Sequence, residues 1–328
     1  FILAGVTGAS PFAYVTNVES NNVSVIDTAT NTVTATVNVE KAPQGIAVSP
    51  DGNRAYVTNC LSNSVSVIDA TKNEVIGTVR VGSYPTRVVV NPDGTKVYIV
   101  NAESKTISVI DTATNNVTAT VKVENYPVDV AVSPDGKKAY VVNFGIPPDY
   151  QGNVSVIDTA TSTITATVNV EKAPMGIAVS PDGTKVYVVN SNSYPYYKGT
   201  VSVIDTSTNT VTAAVPVGSL PQGIAVSPDG TRVYVAVNMP GGYSGKGDID
   251  ITSITGTVDV IGTAKNEFID RVSVGSAPSE VAITPDGTKV YVLNYGSNTT
   301  SVIDTATNTV NTTVPVGGSP TAVGIGGD

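Results

Sequence analysis

Seven times along this chain a tyrosine is followed by Val or Ile and then, two residues on (three in one copy), by asparagine. The stretches are Tyr14–Asn17, Tyr56–Asn59, Tyr98–Asn101, Tyr140–Asn143, Tyr187–Asn190, Tyr234–Asn238 and Tyr291–Asn294. Successive tyrosines lie 42, 42, 42, 47, 47 and 57 residues apart. A period near 42 marks an array of small supersecondary units, each leaning on its neighbours. It overrides the expectation of about two domains that length alone would suggest.

Each unit reads as four strands. In the second, Ile46–Ser49 is the first strand and Pro50-Asp51-Gly52 turns the chain, Pro presetting φ and Gly supplying a positive one. Tyr56–Asn59 and Val65–Asp69 follow, and a Thr/Asn turn leads to Val75–Val79. Thr and Val dominate the chain, and both are β-branched and suit strands. One such sheet cannot bury both faces, whereas a closed ring of sheets leaves no end unit exposed. The first copy starts at its second strand, and the C-terminal stretch Pro320–Ile325 matches the missing first strand. The expected fold is therefore all-β: a seven-bladed β-propeller of four-stranded blades, closed by the C-terminal strand joining the N-terminal blade. A single propeller domain is expected over residues 10–328. Residues 1–9 are apolar and close on small residues, so a signal-peptide remnant or N-terminal extension is expected there. An extracellular location is expected with it.

The repeats resemble the YVTN family of β-propellers of archaeal surface-layer proteins and related extracellular proteins. Tyr-Val-Thr-Asn stands at Tyr14–Asn17 and Tyr56–Asn59, and Ser-Pro-Asp-Gly at Ser49–Gly52, Ser133–Gly136, Ser180–Gly183 and Ser227–Gly230. Val-Ile-Asp-Thr begins at Val25, Val109, Val156, Val203 and Val302. The resemblance runs from about Pro11 to Ile325. It implies a cell-surface location with structural or interaction roles, and it carries over no catalytic residue.

Charge and composition narrow the function classes. The net charge is −9, with 18 Lys and Arg and no basic run, which speaks against nucleic acid and anionic membrane surfaces. No stretch approaches a membrane span. Histidine is absent, which removes imidazole general bases and metal ligands. Cys60 stands alone, so no intramolecular disulfide forms. The chain is read as a non-enzyme without a resident cofactor, with calcium as the candidate cation.

A residue present in every unit serves the unit, and a residue that breaks the pattern is a candidate for function. The asparagine ending the second strand is expected to serve turn geometry, and the aspartate ending the third to cap the next turn. The breaks fall in two places. Long links join the second and third strands of blades four, five and six (Phe144–Asn153, Ser191–Thr200, Met239–Thr257), raising Tyr150, Tyr194, Tyr196, Tyr197 and Tyr243 over one face. Tyrosine offers large contact area at low entropy cost, which suits protein or sugar partners. Two positions after the Pro that opens each inner strand, Gly45, Gly176, Gly223 and Ala322 are small, whereas Arg87, Asp129 and Glu280 are charged. These three are expected at the mouth of the central channel, Arg87 pairing with Asp129. Asp129 with Glu280, and Asp248 with Asp250, are candidate calcium ligands, since hard cations take oxygen. Asn22, Asn116, Asn153, Asn298 and Asn311 stand in glycosylation sequons.

The expected role is an extracellular, surface-layer-like module for protein–protein or cell-envelope interaction and adhesion. Its partners would be cell-surface proteins, glycans or copies of itself. Two alternatives are a carbohydrate-binding module and a cation-dependent, lactonase-like hydrolase.

Overall fold

The computed structural model describes residues 12–124, 126–192, 198–239 and 255–326. Among them are 28 strands, β1 to β28 in chain order, in seven separate four-stranded antiparallel sheets. Blade one consists of β28 (Pro320–Ile325), β1 (Phe12–Asn17), β2 (Asn22–Asp27) and β3 (Thr32–Asn38), so its inner strand comes from the far end of the chain. The other blades run in sequence from their inner strands: β4 (Pro43–Val48), β8 (Pro85–Val90), β12 (Pro127–Val132), β16 (Pro174–Val179), β20 (Pro221–Val226) and β24 (Pro278–Ile283). Each inner strand touches the next, and β28 closes the circle between β24 and β4. The fold is the expected seven-bladed propeller.

The core lies between blades. The repeated tyrosine of each second strand is at most 2% exposed and packs among aliphatic side chains of its own blade and the next. Burial pushes the hydroxyl pKa of Tyr140 and Tyr187 up to about 12. A fully buried side chain of this size stabilises by roughly 1.5–3 kcal/mol, and the ring repeats the contact in each blade.

The strand-ending asparagine serves a purpose other than the expected turn geometry. Asn59 has φ −105° and ψ 95°, an extended backbone. Its side chain is buried and donates from Nδ2 to Ser66 Oγ on the neighbouring strand at 2.9 Å. The same bond joins Asn17 to Ser24, Asn101 to Ser108, Asn143 to Ser155, Asn190 to Ser202 and Asn294 to Ser301. The aspartate ending the third strand does cap its turn: Asp27 Oδ1 accepts from the N–H groups of Ala29 and Thr30.

Antiparallel order gives the ring two unlike faces. Turns after the inner and third strands lie on one face, the lower. Links after the second and outer strands lie on the other, the upper. On the lower face a Lys or Arg opening each second strand donates to a Thr carbonyl of the next blade, as Arg54 does to Thr112 and Lys96 to Thr159. Lys138, Lys185, Arg232 and Lys289 repeat the bond. Blade one has Phe12 at this position, and there the Tyr14 hydroxyl donates to Ala70 instead.

Candidate functional site

Two sets of departures from the repeat, the charged inner-strand residues and the long links, meet on the upper face. At its centre each of Arg87, Asp129 and Glu280 follows a β-bulge just after the proline of its inner strand. A bulge re-aims the next side chain, here into the channel. Arg87 Nη2 lies 3.0 Å from Glu280 Oε2, and Nε lies 3.8 Å from Asp129 Oδ1. The expected Arg87–Asp129 pair therefore exists, and the closer partner is Glu280. Backbone N–H groups of Val130 and Ile177 donate to Asp129, and that of Val281 donates to Glu280. At the equivalent position of blade six, a Cβ on Gly223 would come within 2.6 Å of Glu280 Oε1 and Cα, so only glycine leaves room for the glutamate.

Together these groups line a cavity of about 140 Å³. Burial pushes the carboxyls of Asp129 and Glu280 up against the pull of Arg87, Glu280 to about 7. Both carboxylates face the protein's own cation. Among the described residues no three Asp, Glu, His or Cys side chains converge as metal ligands. The chemistry of this mouth is thus a self-paired ionic cluster rather than the many-oxygen shell that calcium requires. Asp248 and Asp250 lie outside the described residues.

Around the mouth, the inserts in blades four and five do more than lengthen loops. Their third and outer strands extend upward as paired hairpins, Gln151 opposite Lys172 and Lys198 opposite Ser219. Blade six adds the pair Gly256–Val274. Each extension carries a glycine against the next blade's proline: a Cβ on Gly152 would sit 2.3 Å from Pro174 Cδ, and Gly199 and Gly256 repeat the contact on Pro221 and Pro278. Of the tyrosines expected on this wall, Tyr150 is half-buried and meets Phe144 edge-on at 5.8 Å. Tyr194, Tyr196, Tyr197 and Tyr243 lie outside the described residues.

Large exposed apolar side chains divide between two places. Eight lie on outer strands, such as Val33, Ile76 and Phe268. The other four are Leu61, Tyr126, Ile146 and Tyr295, and all four stand in upper-face links. Tyr126 also receives the Lys105 ammonium over its ring, 5.8 Å from the centroid. None stands in a lower-face turn among the described residues. Sequence reasoning missed Leu61, Tyr126 and Tyr295 because it looked only in long links. Of the sequon asparagines, Asn116, Asn298 and Asn311 are exposed, whereas Asn22 accepts from Asn17 and Asn153 accepts from Asn143.

A second ionic site was also missed. Blade six breaks the Asn–Ser rule: Val237 stands opposite Thr257, and Asp259 replaces the serine. Asp259 is fully buried and takes both Nε (2.6 Å) and Nη2 (2.9 Å) of Arg271, together with the Gly218 N–H. The signal was present in the sequence, as Val-Asp-Val-Ile-Gly in place of Val-Ser-Val-Ile-Asp.

Comparison with known proteins supports the fold. The YNCE-like β-propeller family matches residues 2–93. No curated protein matches the chain. Among solved structures, a chain of Kuenenia stuttgartiensis hydrazine synthase is 24% identical with a TM-score of 0.78, covering 93% of this chain and 99% of that one. A functionally unknown protein from Desulfotomaculum acetoxidans is 18% identical with a TM-score of 0.78, covering 97% and 99%. A putative 6-phosphogluconolactonase from Bacteroides uniformis is 17% identical with a TM-score of 0.75, covering 96% and 99%. The chain is a seven-bladed β-propeller. Identities this low speak to architecture and not to activity.

The two sets of carboxylates predict a stability profile. Hydrogen bonds from neighbouring Ser and Thr hold Asp51, Asp93, Asp135 and Asp182 of the lower-face turns below their usual range. A lowered pKa gives stability that is present above the unfolded value and lost as pH falls through the folded one. Glu280, raised, gives stability lost as pH rises through about 7. The thermal midpoint should therefore be highest near about pH 4.5, fall below it as the lowered aspartates take up protons, and fall from there to about pH 7 as Glu280 gives up its proton. A midpoint that climbs steadily to alkaline pH would contradict the assignment.

Proposed function

We propose that this propeller is an extracellular interaction module whose upper face binds a protein partner at the cell surface. The reading is carried by one asymmetry. Exposed Leu61, Tyr126, Ile146 and Tyr295 all stand on upper-face links, and the inserted hairpins rise on the same side. Lower-face aspartates and cations are held in turns and blade-to-blade bonds. Aromatic and aliphatic anchors within a polar surround are the usual centres of protein interfaces. The likeness of the repeats to surface-layer propellers and the exposed sequons at Asn116 and Asn311 support an extracellular setting.

A hydrolase reading draws on the fold it shares with the Bacteroides protein. It is less well supported, because the channel carboxylates are paired with Arg87 and several blades offer glycine where further ligands would be needed.

The test compares the wild type with a triple variant, Tyr126→Ser, Ile146→Ser and Tyr295→Ser. A lower-face control carries Lys72→Ser and Lys137→Ser. Proteins cross-linked to immobilised propeller from the source organism's envelope fraction are quantified, and the main partner is purified for titration. The triple variant should bind it at least about tenfold more weakly, and the control should bind normally. Equal binding by all three proteins removes the upper face from the proposal. Turnover of 6-phosphogluconolactone by the wild type would establish the hydrolase reading instead.

A further inference from the structure

The ionic cluster at the channel mouth has a geometry that simple pairing does not require. Arg87 is on β8 and Glu280 on β24. Counting around the closed series of inner strands, β8 reaches β24 through β4 and β28. No two members of a seven-membered ring are further apart. The guanidinium therefore spans the ring to reach Glu280 while touching Asp129 on the adjacent strand. The cavity is lined from all seven inner strands, and its charged or titratable members are Arg87, Asp129 and Glu280 alone. One cation faces two carboxylates, with no other charge to balance the second.

We propose that the Arg87–Glu280 bridge is an acid-released bar across the axial channel: a proton on Glu280 removes one carboxylate charge, and Arg87 turns to Asp129, opening the channel mouth. Glu280 is the member that takes the proton. It accepts one backbone N–H where Asp129 accepts two, so its anionic form is less well solvated by the protein. Burial pushes its carboxyl up to about 7, which places the switch near neutral pH. The Asp129 contact, at 3.8 Å, has room to shorten once the pull of Glu280 is gone. Gly45, Gly176 and Gly223 place no side chain at their positions of the inner ring, so a guanidinium withdrawn from Glu280 widens the mouth of the cavity.

The test uses the intact chain. Crystal structures of the wild type at about pH 8.5 and about pH 5.5, and of Glu280→Gln at about pH 8.5, report the position of Arg87. Carboxyl ¹³C NMR follows the titration of Glu280. The bar should be in place in the alkaline wild type and displaced toward Asp129 in the acid form and in Glu280→Gln. Arg87→Met should move the Glu280 titration upward by at least about one pH unit, because its counter-charge is gone. A bridge unchanged at acid pH, or retained in Glu280→Gln, overturns the proposal. A Glu280 titration unmoved by Arg87→Met overturns it as well. Because none of these readouts involves a partner, they stand or fall apart from the upper-face binding reading.

Discussion

Replacing Arg271 with leucine should destabilise the protein by about 2–4 kcal/mol, measured by urea unfolding. Asp259 is fully buried and depends on Arg271 for two of its hydrogen bonds. Removing one member of a buried ion pair typically costs about 3–5 kcal/mol, because the other is left as an uncompensated charge. The lower figure applies here, since Arg271 is 37% exposed and water can enter the space it leaves. Adding Asp259→Ser to Arg271→Leu should recover most of the loss, because serine is the residue that the other blades place there. A double variant as unstable as Arg271→Leu would show that Arg271 stabilises by packing rather than by charge.

Ending the chain at Gly318 should abolish cooperative folding. The truncation removes β28 and leaves blade one with three strands and the inner ring open between β24 and β4. It uncovers a cluster that includes Ala13, Val15, Ile26, Leu293 and Val302, all completely buried in the closed ring. Loss of packing at one large core residue costs about 2–5 kcal/mol. Several such losses exceed the roughly 5–15 kcal/mol that holds a typical protein folded. Circular dichroism in the near ultraviolet and a urea titration would show a broad, non-cooperative loss of structure. A synthetic peptide spanning 319–328 should restore the transition. A truncated protein that unfolds cooperatively within about 1 kcal/mol of the full chain would mean that the ring is stable without its closing strand.

The repeat made most of the fold legible. Turn residues such as Pro50, Asp51 and Gly52 recur at fixed offsets, and comparison between copies separates framework from exception without any second sequence. The same comparison singled out Arg87, Asp129 and Glu280. It erred where the rule concerns a side-chain partner rather than a backbone shape. The strand-ending asparagine looked like a turn residue, and its real partner, the serine of the next strand, is visible only once register is known. Asp259 was passed over for the same reason. Its neighbours Gly218 and Arg271 lie 41 and 12 residues away, and nothing local marks them as its partners. The hairpin extensions at Gln151 and Lys198 carry no Val/Ile alternation, so nothing local marks them as strand.

By itself the sequence determined the number of blades, the four strands of each, the turns between them and the blade that the two ends share. These follow from local propensity and from a periodicity that a closed ring of four-stranded blades satisfies. The tertiary structure alone decided which exceptional residues meet. Arg87 and Glu280 are far apart along the chain and on opposite sides of the ring, yet they lie 3.0 Å apart because ring closure sets the channel width. Exposure was decided there too: Leu61, Tyr126, Ile146 and Tyr295 have no shared sequence pattern, and they come to one face because antiparallel blades deliver two kinds of link to the same end. Distance and burial are properties of the closed ring, and a periodic sequence specifies the ring before it specifies any single contact across it.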